Sequence, residues 1–203
     1  MWIGTGDLLV KSTTDSEYTN GIGTVDNRLI SATANEDVTY YVNNSEVTVA
    51  PERVELLVDS VSNDAGFNSA MGTDAISEAT AKHGSLTRAS YELAYMDLVD
   101  TKNGNAVVTL GTDDTLTIYW PMPDDADEDG TFYIVHYTGM DREDLTAEGD
   151  LASAANTVER VYPTSGDGHL TFTVKDFSPF ALVYERESTG GSSGGGGRPS
   201  RPT

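Results

Sequence analysis

Cysteine and glutamine are both absent from the 203 residues, and lysine occurs only four times. Without cysteine there is no disulfide scaffold and no cysteine-ligated zinc. Thioester cross-links need Cys and Gln, and Thr–Gln esters need Gln, so composition excludes both. The absence of Cys does not fix the redox compartment, because exported bacterial modules also avoid it. Basic residues are scarce as well, 12 against 33 acidic ones, for a net charge of -21. No Lys/Arg cluster exists to neutralise phosphates, which argues against nucleic acid and anionic membranes as partners. No apolar run approaches the ~20 residues of a membrane-spanning helix. The stretch Met1–Asp7 has neither a basic n-region nor an apolar h-region, so no signal peptide is expected there. If extracellular, the chain is expected to be part of a longer product. Abundant Asp with scarce Lys also fits a halophile, a minor alternative beside an exported module.

What is present reads as β-structure. Val38–Val42 is β-branched and aromatic, and Asn43-Asn44-Ser45 follows as a turn. Glu46–Val49 and Arg53–Val61 are further strand candidates. Leu116, Ile118 and Trp120 alternate with Thr115, Thr117 and Tyr119, which places one apolar set on one sheet face. Phe132, Ile134 and His136 do the same against Tyr133, Val135 and Tyr137, as do Leu170, Phe172 and Val174 against His169, Thr171 and Thr173. Phe180–Tyr184 closes the series. Asn20-Gly21 and Gly166-Asp167-Gly168 mark turns, and Asn103-Gly104 reads as a hairpin between Tyr91–Asp100 and Ala106–Leu110. Many short strands with turn signals predict an antiparallel β-sandwich. One short helix is expected, capped by Asp74, with Ile76, Ala79, Thr80 and His83 on one face and Gly84 at its end. A second, weaker helix is read over Asp150–Ala155.

Three regions follow. Residues 1–30 are an N-terminal remnant or an edge hairpin, 31–187 the sandwich module, and 188–203 a Gly/Ser/Pro-rich tail. The tail has no apolar side chain to offset backbone ordering of ~1–2 kcal/mol per residue, so disorder is expected.

Several blocks carry a family resemblance. They are Glu55-Leu56-Leu57-Val58-Asp59, Tyr95–Asp100 with Asn103–Ala106, and Ile118-Tyr119-Trp120-Pro121. Val135-His136-Tyr137 with Asp141-Arg142-Glu143, and Phe177–Val183, complete them. In this order and spacing the chain resembles a β module of large cell-surface, adhesin-like proteins of Gram-positive gut bacteria (Firmicutes and Actinobacteria type). Those proteins often carry collagen-binding-protein B-type domains and a sortase-anchored C-terminus. The resemblance spans about Val38 to Glu185 and implies a stalk or adhesion role, with no catalytic residues carried over. The family's Leu-Pro-x-Thr-Gly motif is not found.

Candidate chemistry is sparse. Asp125, Asp127 and Asp129 followed by Gly130 reproduce the first half of a calcium loop, in which alternate acidic side chains surround one ion. The twelfth position is His136 rather than Glu, so an EF-hand is excluded, and a solvated acidic turn is the favoured reading. An isopeptide would need one of Lys11, Lys82, Lys102 or Lys175. Lys175 beside Asp176 ends a core-like strand and reads as exposed. Ser178 lies in Phe-Ser-Pro-Phe rather than a Gly-x-Ser-x-Gly elbow, and His136 reads as a hydrogen-bonded core histidine. Tyr40, Tyr41, Tyr119, Trp120, Tyr133 and Tyr137 would stack sugars if exposed, and are expected to be mostly core.

The sequence therefore leads to a monomeric, non-catalytic structural or interaction module of an extracellular bacterial surface protein. Its ligand would be a host or cell-wall surface, its neighbours other domains of a longer chain, and it would need no cofactor beyond a calcium candidate. The alternative is a carbohydrate-binding module attached to a surface enzyme.

Overall fold

The structure, a computed structural model, describes residues 7–13, 30–35, 37–43, 45–59, 61–62, 64–104, 106–138, 140, 151, 154–164 and 168–188. The fold is mainly antiparallel β-sheet with one long helix. Among the described residues there are twelve strands: β1 (Asp7–Thr13), β2 (Ser31–Asn35), β3 (Tyr40–Val42), β4 (Thr48–Val49), β5 (Val54–Asp59), β6 (Ala89–Asp100), β7 (Ala106–Leu110), β8 (Leu116–Pro121), β9 (Phe132–Tyr137), β10 (Asn156–Pro163), β11 (His169–Val174) and β12 (Pro179–Glu185).

Two sheets pack face to face. One runs β1-β2-β8-β11-β10, and the other runs β10-β9-β12-β6-β5-β1. Both end strands are shared. Asp7–Val10 pair with β2 while Lys11–Thr13 pair in parallel with β5. Asn156–Val161 pair with β9 while Tyr162 and Pro163 pair with β11. Strands that change sheet part-way form the corners of a sandwich, and here they join the two sheets at both ends. A three-stranded leaf, β7-β3-β4, grows from the distal half of β6.

The alternation read from the sequence fills the space between the sheets. Leu116, Ile118, Trp120, Leu170, Phe172 and Val174 meet Leu56, Val58, Met96, Leu98, Phe132, Ile134, Phe180 and Leu182. Strands β9 and β12 are buried on both faces, because their other side chains (Tyr133, Val135, Tyr137, Ala181, Val183) lie under the helix. Period-two patterning marks one buried face; an apolar residue at every position marks a strand covered on both.

Helix α1 (Ala65–His83) begins nine residues before the expected cap, which corrects the reading of Asp74 as N-cap. Asp64 is the cap, its carboxylate accepting the Phe67 N–H at 3.1 Å. Gly66, Ser69, Gly72 and Thr73 are poor helix formers and mask this first half in the sequence. The buried row is Phe67, Met71, Ala75 and Ala79, four residues apart; of the expected face of Ile76, Ala79, Thr80 and His83, Ala79 is buried, Ile76 is partly buried against the same cluster, and His83 is exposed. Gly72 joins the buried row, because Tyr91 of β6 lies where its Cβ would be. Gly84 ends the helix as expected, at φ 100°, with its N–H on the Thr80 carbonyl at 2.8 Å.

Other expectations are met locally. β6 and β7 form the hairpin at Asn103-Gly104, with Gly104 at φ 61°. Asp100, only 2% exposed, anchors it. Its carboxylate accepts the Arg53 Nε and a terminal guanidinium nitrogen at 3.0 and 2.6 Å, and the Lys102 N–H at 3.0 Å. Tyr40–Val42 and Thr48–Val49 pair around the Asn43–Ser45 turn. The segment expected as a remnant or edge hairpin supplies β1, and the rest of 1–30 short of Ile30 lies outside the described residues. So do 189–203 of the tail, the turn residues 165–167, and 150, 152 and 153 of the expected second helix. No helix among the described residues is long and apolar enough to cross a membrane.

Candidate functional site

The nearest approach to a catalytic pair is Ser178 and His136. Ser178 precedes β12, and His136 lies on β9 directly opposite Phe180, whose ring stacks on the imidazole at 4.0 Å. Ser178 Oγ is 2.7 Å from His136 Nε2 and donates its own proton to the Tyr137 carbonyl at 2.7 Å. A hydroxyl has one proton, so towards His136 the Oγ accepts, and Nε2 is the protonated nitrogen of the neutral ring. That is the reverse of what a serine nucleophile needs, since the imidazole cannot take a proton already given to a carbonyl. Ser178 is also only 3% exposed. Burial pushes the His136 pKa down to about 4, against a smaller upward pull from Asp176. The pair is a buried structural clip, as the hydrogen-bonded core histidine implied.

The calcium candidates lie on the turn between β8 and β9 and do not converge. Asp125 accepts the Tyr184 hydroxyl at 2.7 Å. Asp127 Oδ1 folds back on the Asp129 N–H at 3.0 Å. Among the described residues no group of three or more His, Asp or Glu side chains is arranged to hold a metal ion. The turn is instead strapped to the end of β12. The Asp127 N–H donates to the Glu185 carbonyl and the Glu187 N–H to the Asp125 carbonyl, each at 2.9 Å, and Ala126 bridges Arg186.

The aromatic side chains proposed as a sugar platform are inside. Tyr40, Tyr119, Trp120, Tyr133 and Tyr137 are buried, and Tyr41 is half-buried. Their polar ends are committed: Trp120 Nε1 donates to Glu92 at 2.9 Å and the Tyr137 hydroxyl to Asp74 at 2.6 Å. Burial first, then Asp74 and Glu78, drive the Tyr137 pKa far above its ordinary value. Asp74 thus serves as a hydrogen-bond acceptor between helix and sheet. Lys82, Lys102 and Lys175 are exposed, which leaves none of the three placed for a buried isopeptide.

Two features escaped the sequence. One is Tyr162, 63% exposed on β10, with the Arg160 guanidinium 5.1 Å from its ring centre. Alternation was not read there because β10 is mostly solvent-facing. The other is a cluster at the end of β12. Glu185 accepts the Thr87 N–H at 2.6 Å and the Thr131 N–H at 3.0 Å through its two carboxylate oxygens. Arg88 and Arg186 pair as well: the Arg186 N–H and Nε both donate to the Arg88 carbonyl, and Arg88 Nε to the Arg186 carbonyl, at 3.1–3.4 Å. These partners are backbone groups up to 98 residues away, so no motif announces them.

The first and last strands stand in a definite relation. β1 runs parallel to β5, β5 antiparallel to β6, and β6 antiparallel to β12, so β1 and β12 point the same way. Lys11 is level with Glu55 and hence Val99, whereas Glu185 is level with Ala89. The chain therefore enters at one pole of this sheet and leaves at the other, about 33 Å apart at the usual strand rise. Sheet twist of roughly 20–25° per pair rotates the two strands without reversing their sense.

Comparison with protein-family models, curated proteins and solved structures returns no match.

Proposed function

We propose that this chain is a non-catalytic structural module, a stalk or adhesion domain, of a bacterial cell-surface protein. The observation that carries the reading is the placement of the terminal strands. Tension between the ends of the module runs along β1 and β12 in opposite directions. β12 is held by seven register pairs to β6 and five to β9. Antiparallel hydrogen bonds lie across the strands, so such tension loads them together instead of one at a time. A closed sandwich with its polar pairs committed inward suits transmission of force better than chemistry. The acidic charge and the resemblance of the Glu55–Asp59, Ile118–Pro121 and Phe177–Val183 blocks to adhesin-like modules point to the outside of a Gram-positive cell. Protease shaving of intact cells that express the native gene tests the location. Release of fragments of this module supports it, and detection only after lysis overturns it.

A carbohydrate-binding module is the second reading, and Tyr162 favours it. Its exposed ring, with Arg160 alongside, is the form of residue that stacks on a sugar face. A glycan array on which wild type gives signal and Tyr162→Ala loses it would establish this reading. A blank array would remove it.

A further inference from the structure

We propose that the Glu185 carboxylate is the lock that sets the mechanical lifetime of the module, by tying the last residue of β12 to two elements at the exit pole. The inference rests on the reading of the chain as a tension-carrying module.

Glu185 is where tension applied beyond the module first reaches the sheet. Arg186 and Glu187, just beyond it, are held by the strap at Asp125 and Ala126 and by the Arg186–Arg88 bonds. Its two oxygens take the N–H groups of Thr87, which leads into β6, and Thr131, which leads into β9. β6 and β9 are the strands that flank β12. One side chain therefore spans both interfaces that must slide for β12 to leave. A carboxylate accepting two backbone N–H groups makes charge-assisted bonds, stronger than neutral ones.

The surroundings are built around this clasp. Arg88 sits at φ 48°, a left-handed conformation that disfavours an L side chain, and its carbonyl and Nε are both bonded to Arg186. Gly130 precedes Thr131 in a tight place, since a Cβ there would lie 3.0 Å from the Asp127 carbonyl and 3.3 Å from the Glu185 Cβ. The Asp127 N–H on the Glu185 carbonyl closes the ring. Peeling β12 from its free end must break these bonds before the first register pair of the sheet.

Glu185→Gln is the test. The amide keeps one accepting oxygen and the same shape, so one N–H of the two loses its partner. Glu187→Gln, at the same pole with the same change in charge, is the control. Lifetimes are measured at constant force with handles fused before Asp7 and after Ser188. Loss of one charge-assisted bond in the native state should shorten the lifetime of Glu185→Gln on the order of tenfold to a hundredfold, and Glu187→Gln should match wild type. With handles on cysteines at Ser45 and Asn103, which first load β4 and the Asp100 end of β6 at the opposite pole, Glu185→Gln should be nearly silent. Equal lifetimes for Glu185→Gln and wild type overturn the lock. So does an equal shortening in both pulling geometries, which would make Glu185 a general stabiliser. A wild-type module that gives way at low force end-to-end contradicts the mechanical reading itself, whatever the ratio between variants.

Discussion

Ser178 Oγ receives the proton of His136 Nε2 at 2.7 Å and passes its own to the Tyr137 carbonyl at 2.7 Å. The chain of donors runs in one direction and ends on backbone, so Nε2 cannot serve as a base towards Ser178, and burial favours the neutral ring. Protonating it must add a charge in a half-buried site against the Phe180 ring.

Acid should therefore weaken the fold through His136. Its folded pKa, about 4, lies below the unfolded value near 6.5. Between these values the unfolded chain binds the proton and the folded one does not. The contribution is complete above about pH 6.5 and is lost as pH falls through 4, with a total of roughly 3–4 kcal/mol. Urea titrations from pH 7 to 4 on wild type and His136→Gln isolate it, since other groups titrate in both. The slope of stability against pH should be shallower in the variant; equal slopes would contradict the assignment.

Trp120 is fully buried between the sheets and bonded to Glu92. Trp120→Ala should cost about 3–5 kcal/mol, and Phe172→Ala should behave alike. Thr171 is half-buried and faces away from this core, accepting only the Thr164 hydroxyl at 3.3 Å, so Thr171→Ala should stay within about 1 kcal/mol. Chemical denaturation of the three variants gives the comparison, and a Trp120→Ala midpoint close to wild type would place the indole outside the core.

Gly72 reverses the usual helix preference. An alanine in a helix interior normally gains about 1 kcal/mol over glycine. Here its methyl group would overlap the Tyr91 ring, so Gly72→Ala should destabilise by roughly 1–3 kcal/mol. In a Tyr91→Ala background the same change should become neutral or favourable. A double-mutant cycle measures this coupling, and a coupling near zero would mean that Tyr91 moves aside freely.

Calcium should have no specific effect. Asp125 is bonded to Tyr184, and Asp127 to the Asp129 N–H. Thermal melts in millimolar CaCl2, MgCl2 and NaCl at equal ionic strength should shift by the same small amount, through screening of the net negative charge. A rise with calcium alone, abolished in Asp127→Asn, would show a site after all.

Most of the sheet was legible because most strands carry their own signal; β1, β2 and β10 were not read. Thr115–Trp120 and His169–Val174 alternate, Asn103-Gly104 marks its hairpin, and both inferences hold in three dimensions. The helix start was hidden because Gly66, Ser69 and Gly72 are poor helix formers; Gly72 is there for contact with Tyr91 of the sheet, and local propensity argues against it. The corner strands could not be read, since a change of partner at Val10–Lys11 or Val161–Tyr162 depends on the other strands. The same holds for Glu185 and Ser178, whose bonds end on backbone groups. Asp125, Asp127 and Asp129 had a ligand-like spacing, but the turn directs their side chains apart.

Pulling geometry tests the central claim most directly. The absence of Cys from the native chain leaves engineered attachment points unambiguous. One pair of handles fused before Asp7 and after Ser188 loads β1 and β12 along their lengths. A second pair, on cysteines introduced as Ser85→Cys and Glu187→Cys, draws β6 and β12 apart from their adjacent ends. Bonds loaded together must fail together, whereas bonds opened from one end fail in turn, so the first geometry should unfold at a clearly higher force than the second. Equal forces, or a weaker module along its own axis, would contradict the account of this chain as a tension-carrying domain.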